Sequence, residues 1–421
     1  MISNNIRFDL SDRLIHFFRE VDLEGDSAPA LQPEHFAFNS YVEGTKWPAL
    51  FLLRCAVRSH GLWATWSIRK GVRTIYGPHP AVCFTEMPLA AFLESSEARE
   101  AKGQAMSSYA LSFPKAAMHS EGAMPVIYGL SDKSLVLPKG ENAGPRILPS
   151  NQLAILEQYR YITFMPSGTH KVDWTHEREW RWPYRGDLSK IEGELAEYGL
   201  VSNATDIPAF DFSNPSVNGI GIIVKTEEDA RKLTYDVLSL VDQKIVSRRH
   251  FHHMLILDLL PSTDALYAPD AVRVAINKAM LNFDHYFDLK QSDVDDVVDD
   301  FSDRLLSIEQ VSTHPQKAAN EFGGCWFWFH DNTNSYVRAL VQAGRVTVTK
   351  EGRYVGTLDE LNPARDLRER EELTEKLAAE LYRDLKVTGG AFSVLSSNNP
   401  NDVPFYINRP PADDLFNNTD G

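Results

Sequence analysis

Apolar positions recur along this chain with two spacings, and the spacing assigns the elements. The opening stretch, residues 1–75, reads as mainly helical, with Leu14, Ile15, Phe17 and Phe18 among its early apolar positions. Leu50, Leu53, Arg54 and Val57 recur at helical spacing and predict a helix across residues 47–60. Gly77-Pro78-His79-Pro80 then breaks the chain, and short apolar runs follow. Residues 81–85, 108–113, 125–128 and 159–165 read as strands, and Pro88 sits where proline favours a helix start. Residues 130–150, rich in Gly, Pro, Asn and Lys, predict a loop.

Residues 218–260 predict a strand–helix–strand unit. Gly219-Ile220-Gly221-Ile222-Ile223-Val224 is a buried-strand run, and Thr226 followed by three acidic residues is a helix start. A second strand is expected at 251–260, giving a mixed sheet. The Gly219/Gly221 pair lacks a third glycine and precedes the strand, so it is no dinucleotide fingerprint. Further on, Val294, Val297, Val298, Phe301 and Leu305 define an amphipathic helix with an acidic outer face; the central glycine and terminal glutamate of a calcium loop are missing. Two segments then repeat a pattern 66 residues apart. Each has a helix, a Gly-Gly pair read as the helix stop (323–324 and 389–390), an apolar strand and an Asx-rich turn.

At 421 residues, two domains are expected. The boundary is placed in the proline-containing stretch 258–270, giving units 1–268 and 269–421. The chain carries 43 basic and 58 acidic residues, a net charge of −15 that opposes unspecific binding to nucleic acid or anionic membrane. Cys55, Cys83 and Cys325 are widely separated, which suggests a reducing compartment and no metal-binding pair. With no apolar run of about 18 residues and no signal-peptide pattern at the start, the expected location is the cytoplasm.

The densest chemistry lies in His176-Glu177-Arg178-Glu179-Trp180-Arg181-Trp182. In an extended chain, Glu177, Glu179 and Arg181 share one face, and Trp180 and Trp182 turn to the other, into a core. Two roles fit this pattern: a charged front lining a cleft, or a salt-bridged edge strand. A carboxylate facing a cleft contributes little packing, so Glu179→Gln is expected to leave folding intact. Arg69 suits a diphosphate, and Thr85 and Glu86 end a strand where side chains line clefts. Tyr109, Tyr128, Tyr159 and Tyr161 read as half-buried strand aromatics. His250 and His252 share a strand face, but no third zinc ligand accompanies them, and no metal is expected. Nucleophile-elbow, Walker A and zinc-protease motifs are absent.

Four short motifs in order carry a family resemblance across roughly residues 40–260. Residues 81–89 (AVCFTEMPL), 109–115 (YALSFPK), 125–129 (PVIYG) and 177–181 (EREWR) resemble AbiGi-type abortive-infection proteins of phage defence. These look distantly similar to ADP-ribosyltransferases, including the DarT toxins. The resemblance implies an N-terminal split, mixed β-sheet domain with helices that grips NAD. With the repeated helix–strand unit, which predicts a smaller C-terminal α+β domain, the chain is expected to be α+β, its C-terminal part binding a partner or trigger. It implies Glu179, then Glu177, as catalytic carboxylates, with Arg69, Ser67, Thr85, Glu86, Tyr109 and Arg181 around the cofactor. DarT-like toxins place an arginine soon after the strand matching Val82–Thr85; this chain has Glu86-Met87 there. The expected function is a defence or toxin-type effector that transfers ADP-ribose to an unidentified protein or nucleic acid, or hydrolyses NAD. The alternatives are a non-catalytic antitoxin or sensor module, and a metal-dependent nuclease using Glu177 and Glu179.

Overall fold

A computed structural model describes residues 11–131, 145–167, 171–198, 201, 204–261, 269–313 and 321–419, apart from positions 27, 30, 71, 105 and 412. Most of the predicted 130–150 loop lies outside these residues. The fold is α+β with several sheets, and the chain forms two compact units. The first comprises residues 1–230 and 249–281; the second comprises 231–248 and 282–419. The crossing therefore falls after Leu281 rather than at 268/269. The reason is local: helix Pro269–Ala279 leads into strand Met280–Leu281, which pairs with Phe251–Ile256 and extends the first unit's sheet.

That sheet has eight strands. In spatial order they are Met280–Leu281, Phe251–Ile256, Ile220–Val224, Ala110–Pro114, Arg13–Phe17, Ala81–Thr85, Glu179–Pro183 and Met124–Pro125. Ile220–Val224 and Phe251–Ile256 run parallel, joined through helix Glu227–Asp242, so the expected strand–helix–strand unit is present in a mixed sheet. Gly221 allows neighbouring strands to approach: a Cβ there would lie 2.6 Å from both Ser112 Oγ and His253 Nε2. This glycine serves packing between strands.

Residues 1–75 are not mainly helical. Leu14, Ile15 and Phe17 belong to strand Arg13–Phe17, and the one helix before residue 75 among the described residues is Ala49–Arg58, close to the predicted 47–60. The central strand is covered on both faces. Ile15 packs with Met87, Phe92, Ala110 and Ile223 on one side, while Leu14 is fully buried on the other. A strand buried on both faces shows no apolar–polar alternation, so its period resembles that of a buried helix. Residues 159–165 also differ: a 3-10 turn, Ile155–Arg160, precedes a two-residue strand, Tyr161–Ile162.

The second unit holds an antiparallel five-stranded sheet, in the order Val346–Val348, Tyr354–Gly356, Gly323–Phe329, Gly389–Leu395 and Tyr406–Ile407. Helices Gln291–Val311, Ser335–Gln342 and Leu367–Leu385 supply its core together with Tyr235. The acidic helix is amphipathic as expected, burying Val294, Phe301, Leu305 and Ile308. Asp366 and Glu369 form a capping box at the start of Leu367–Leu385. Both glycine pairs begin strands instead of ending helices. The two strands so begun pair with each other, from Gly323 opposite Leu395 to Phe329 opposite Gly389.

Candidate active site

Strand Glu179–Pro183 lies between Ala81–Thr85 and the edge strand Met124–Pro125, with Glu179 opposite Thr85 and Arg181 opposite Cys83. Cross-strand partners share a face, so Thr85, Cys83, Glu179 and Arg181 line one side of the sheet. Glu177 reaches the same place by another route. It closes a 3-10 turn, Thr175–Glu177, and Arg178 then adopts a left-handed conformation (φ 45°) that swings the chain into the strand.

The carboxylates are held by guanidinium groups. Arg181 Nε donates to Glu179 Oε1 at 2.6 Å, and Arg181 Nη1 donates to the Tyr159 carbonyl at 2.6 Å. Arg99, on helix Leu89–Glu100, donates to Glu177 Oε1 at 2.9 Å. Thr85 Oγ1 donates to the Glu177 carbonyl, and Glu179 N donates to the Tyr128 hydroxyl at 3.1 Å. Burial is the largest single effect on the Arg181 pKa and lowers it, but Glu179 and Cys83 together outweigh it and the net shift is upward. Burial, then Glu179, pushes the Cys83 thiol well above its ordinary value, so it is no ready thiolate.

Arg69 sits on an exposed hairpin strand, Ile68–Arg69, paired with Val72–Arg73. Desolvation lowers its pKa, and it lies within electrostatic reach of Glu177, which raises it, and Arg99, which lowers it. Arg19 is brought down to about 10, first by burial and then by the like charge of Arg69. Arg99 and Arg181 thus pair with the two glutamates, Arg69 lies within electrostatic reach of Glu177, and Arg19 lies near Arg69. Ser67 is in the same hairpin region, with its carbonyl accepting from Thr74 Oγ1 at 2.7 Å.

Exposure on the Trp/Glu/Arg strand is the reverse of that expected. Arg181 is 4% exposed, whereas Trp180 and Trp182 are half-buried. The two indoles do turn to the opposite face, where Trp180 Nε1 donates to Glu86 Oε2 at 2.7 Å and Trp182 Nε1 to the Glu121 carbonyl at 2.9 Å. Glu86 therefore faces away from Glu179 and also pairs with Lys115 at 2.8 Å. Tyr109 is engaged elsewhere, donating to Asp229 Oδ2 at 3.0 Å. Thr85, Glu177, Glu179, Arg181 and Arg69 come together; Glu86 and Tyr109 do not join them. Arg99 and Tyr128 touch Glu177 and Glu179 from distant segments, and no local spacing links them to the site. His252 Nδ1 lies 3.1 Å from His253 Nδ1, and among the described residues no set of three His, Cys, Asp or Glu is placed to hold a metal.

Residues 289–419 match a family described as a protein of unknown function (DUF4427). The match lies within the second unit and includes none of the residues around Glu179. No curated protein and no solved structure matches the chain. Among the described residues, no helix is long and apolar enough to cross a membrane.

Proposed function

We propose that the first unit is an ADP-ribosyltransferase-like domain that cleaves NAD at the bond between nicotinamide and ribose, within a bacterial defence or toxin-type effector. The observation that carries this reading is the meeting of Glu177 and Glu179 with Arg69 and Arg181 beside Thr85, from three separate chain segments. As the glycosidic bond breaks, its electron pair passes to the pyridine nitrogen and positive charge develops on the ribose. A neighbouring carboxylate stabilises that charge, and water or an acceptor hydroxyl attacks the anomeric carbon and gives up its proton. Arg69 and Arg19 offer cationic groups to the diphosphate. The second unit would bind a partner or trigger.

A second reading is favoured by one specific feature: both carboxylates already have guanidinium partners, Glu177 with Arg99 and Glu179 with Arg181. Such pairs also suit a non-catalytic binding module, whose pairs serve structure alone. Incubating the full chain with NAD and following nicotinamide release separates the two. The enzyme reading expects release by the wild type and at least a hundredfold loss in Glu177→Gln or Glu179→Gln. Arg69→Ala should raise KM about tenfold while leaving stability within about 0.5 kcal/mol, because its side chain is exposed. No release with protein, DNA or RNA present as acceptor overturns the enzyme reading, whereas metal-dependent cutting of nucleic acid would point to a nuclease.

A further inference from the structure

The sheet face opposite Glu179 carries a separate pocket. Ile15 pairs with Thr85, which pairs with Glu179, so these three share one face and the adjacent His16 points to the other. There His16 meets helix Ala49–Arg58 and strand Gly61–Trp63, which leave a cavity of about 120 Å³ between them. Its walls are Phe18, Leu52, Cys55, Leu62 and Trp63. Phe18, Cys55 and Leu62 are buried, while Leu52, Trp63 and His16 are half-buried.

His16 is the one side chain with ring nitrogens among the residues that line this space, apart from the Trp63 indole. His16 Nδ1 lies 2.9 Å from the Cys83 carbonyl. A carbonyl only accepts, so Nδ1 carries the proton, and Nε2 is left as an acceptor on a ring that lines the pocket. Among the described residues, no group donates to Nε2. Burial lowers the imidazole pKa to about 4, against a smaller opposing effect of the Cys83 carbonyl, so the ring is neutral near pH 7.

We propose that this pocket binds a small neutral molecule, about one aromatic ring in size, whose hydroxyl or N–H donates to His16 Nε2. Size and polarity both lead there. An apolar cavity of about 150 Å³ holds benzene, so the space here suits a ring of similar bulk. A purely apolar guest would leave the Nε2 lone pair without a donor in a desolvated site, and an anion would face that lone pair unfavourably. Leu52, Trp63 and the other apolar walls provide contact area, and His16 sets the orientation and the requirement for a donor. The site is on the face away from Glu179 and does not rest on the NAD reading.

The test uses the full chain, with phenol and benzene as probes and calorimetry supported by tryptophan fluorescence as the readout. Phenol is expected to bind one per chain with Kd below about 10 mM, and benzene at least fivefold more weakly. Ala56→Phe, which fills the cavity from the helix side, should abolish phenol binding. His16→Phe, if folded by circular dichroism, should abolish the preference for phenol over benzene. The phenol–benzene comparison on the wild type stands even if neither variant folds. Failure of phenol to bind, equal binding of phenol and benzene, or full phenol binding in folded Ala56→Phe would overturn the proposal.

Discussion

Replacing Glu179 tests how this part of the sheet is held together. The Arg181 side chain is 5% exposed, and the Glu179 carboxylate lies 2.6 Å from its Nε, itself only 13% exposed. In Glu179→Ala the guanidinium keeps the Tyr159 and Tyr161 carbonyls, at 2.6 and 3.4 Å, but loses its counter-charge. A buried charge stripped of its partner costs about 3–5 kcal/mol. Glu179→Gln keeps an oxygen that accepts from Nε, which brings the expected loss to about 1.5–3 kcal/mol. At about 2–4 °C per kcal/mol, Tm should fall by about 6–20 °C for alanine and about 3–12 °C for glutamine. The expectation that Glu179→Gln leaves folding intact assumed an open, cleft-facing carboxylate, which the burial of this pair replaces. Adding Arg181→Met to Glu179→Gln removes both charges and should recover part of the loss, since apolar replacement of a whole buried pair is often neutral. Thermal melts at low and high salt provide the assay; a buried pair is weakly screened, so the differences should persist in salt. A Glu179→Ala protein melting within about 2 °C of the wild type would refute the reasoning.

Two further predictions concern the second unit. Asp242 accepts from both Arg338 Nη1 (2.5 Å) and Nη2 (3.1 Å), and from Tyr354 Oη (2.7 Å), within the core. Asp242→Asn should therefore cost about 3–5 kcal/mol and Tyr354→Phe about 1.5–3 kcal/mol in urea unfolding; unchanged midpoints would show that the network is not stabilising. His330 and Asp414 act oppositely with pH. Burial lowers His330 to about 4, partly opposed by the Asn408 carbonyl, so the unfolded chain takes up the proton first and stability falls as pH drops from 6.5 to about 4. Burial, reinforced by Asp331 and opposed by the Phe416 amide, raises Asp414 to about 6. The folded chain then takes up that proton first, adding stability as pH falls from about 6 to about 4. Asp414→Asn removes this gain, and its urea midpoint should drop more steeply between pH 7 and pH 5 than that of the wild type, by about 1 kcal/mol; parallel pH profiles would contradict the assignment.

Much of the fold follows from local pattern, and what escaped it has identifiable physical causes. Ala81–Thr85, Ala49–Arg58, the crossover around Glu227–Asp242 and the acidic helix Gln291–Val311 each announce themselves by spacing, caps or a breaker. Strand Arg13–Phe17 did not, because its two buried faces erase the alternation that marks a strand. At the candidate site, period two placed Glu179 and Arg181 on one face correctly, but spacing carries no information about depth. Their burial follows from the cover supplied by distant segments such as Ile155–Arg160, whose last turn offers the Tyr159 carbonyl to Arg181. Arg99 reaches Glu177 across 78 residues of chain, a partnership that only the folded sheet creates.

The repeat in the second unit shows how a correct pattern can carry the wrong mechanism. Gly323-Gly324 and Gly389-Gly390 follow helical segments, and glycine after a helix is a frequent stop signal. Here helix Leu367–Leu385 ends instead at Lys386, in a left-handed conformation (φ 57°), and the glycines are the first two residues of the paired strands. At Gly323 and Gly390 a Cβ would meet the Val394 carbonyl and the Asn408 side chain, and at Gly324 and Gly389 the missing side chain serves aromatic packing. A Cβ at Gly389 would stand 2.6 Å from the Trp328 carbonyl and collide with the Phe327 ring, and one at Gly324 would collide with the Trp326 ring. Gly324 and Gly389 thus yield their places to a large ring two residues along or across the ladder. That exchange buries Phe327 completely and fixes the pairing of the two strands, since a one-residue slip would set rings against side chains. The 66-residue recurrence therefore sets close-contact glycines at the start of both strands of the central pair, with different neighbours in each.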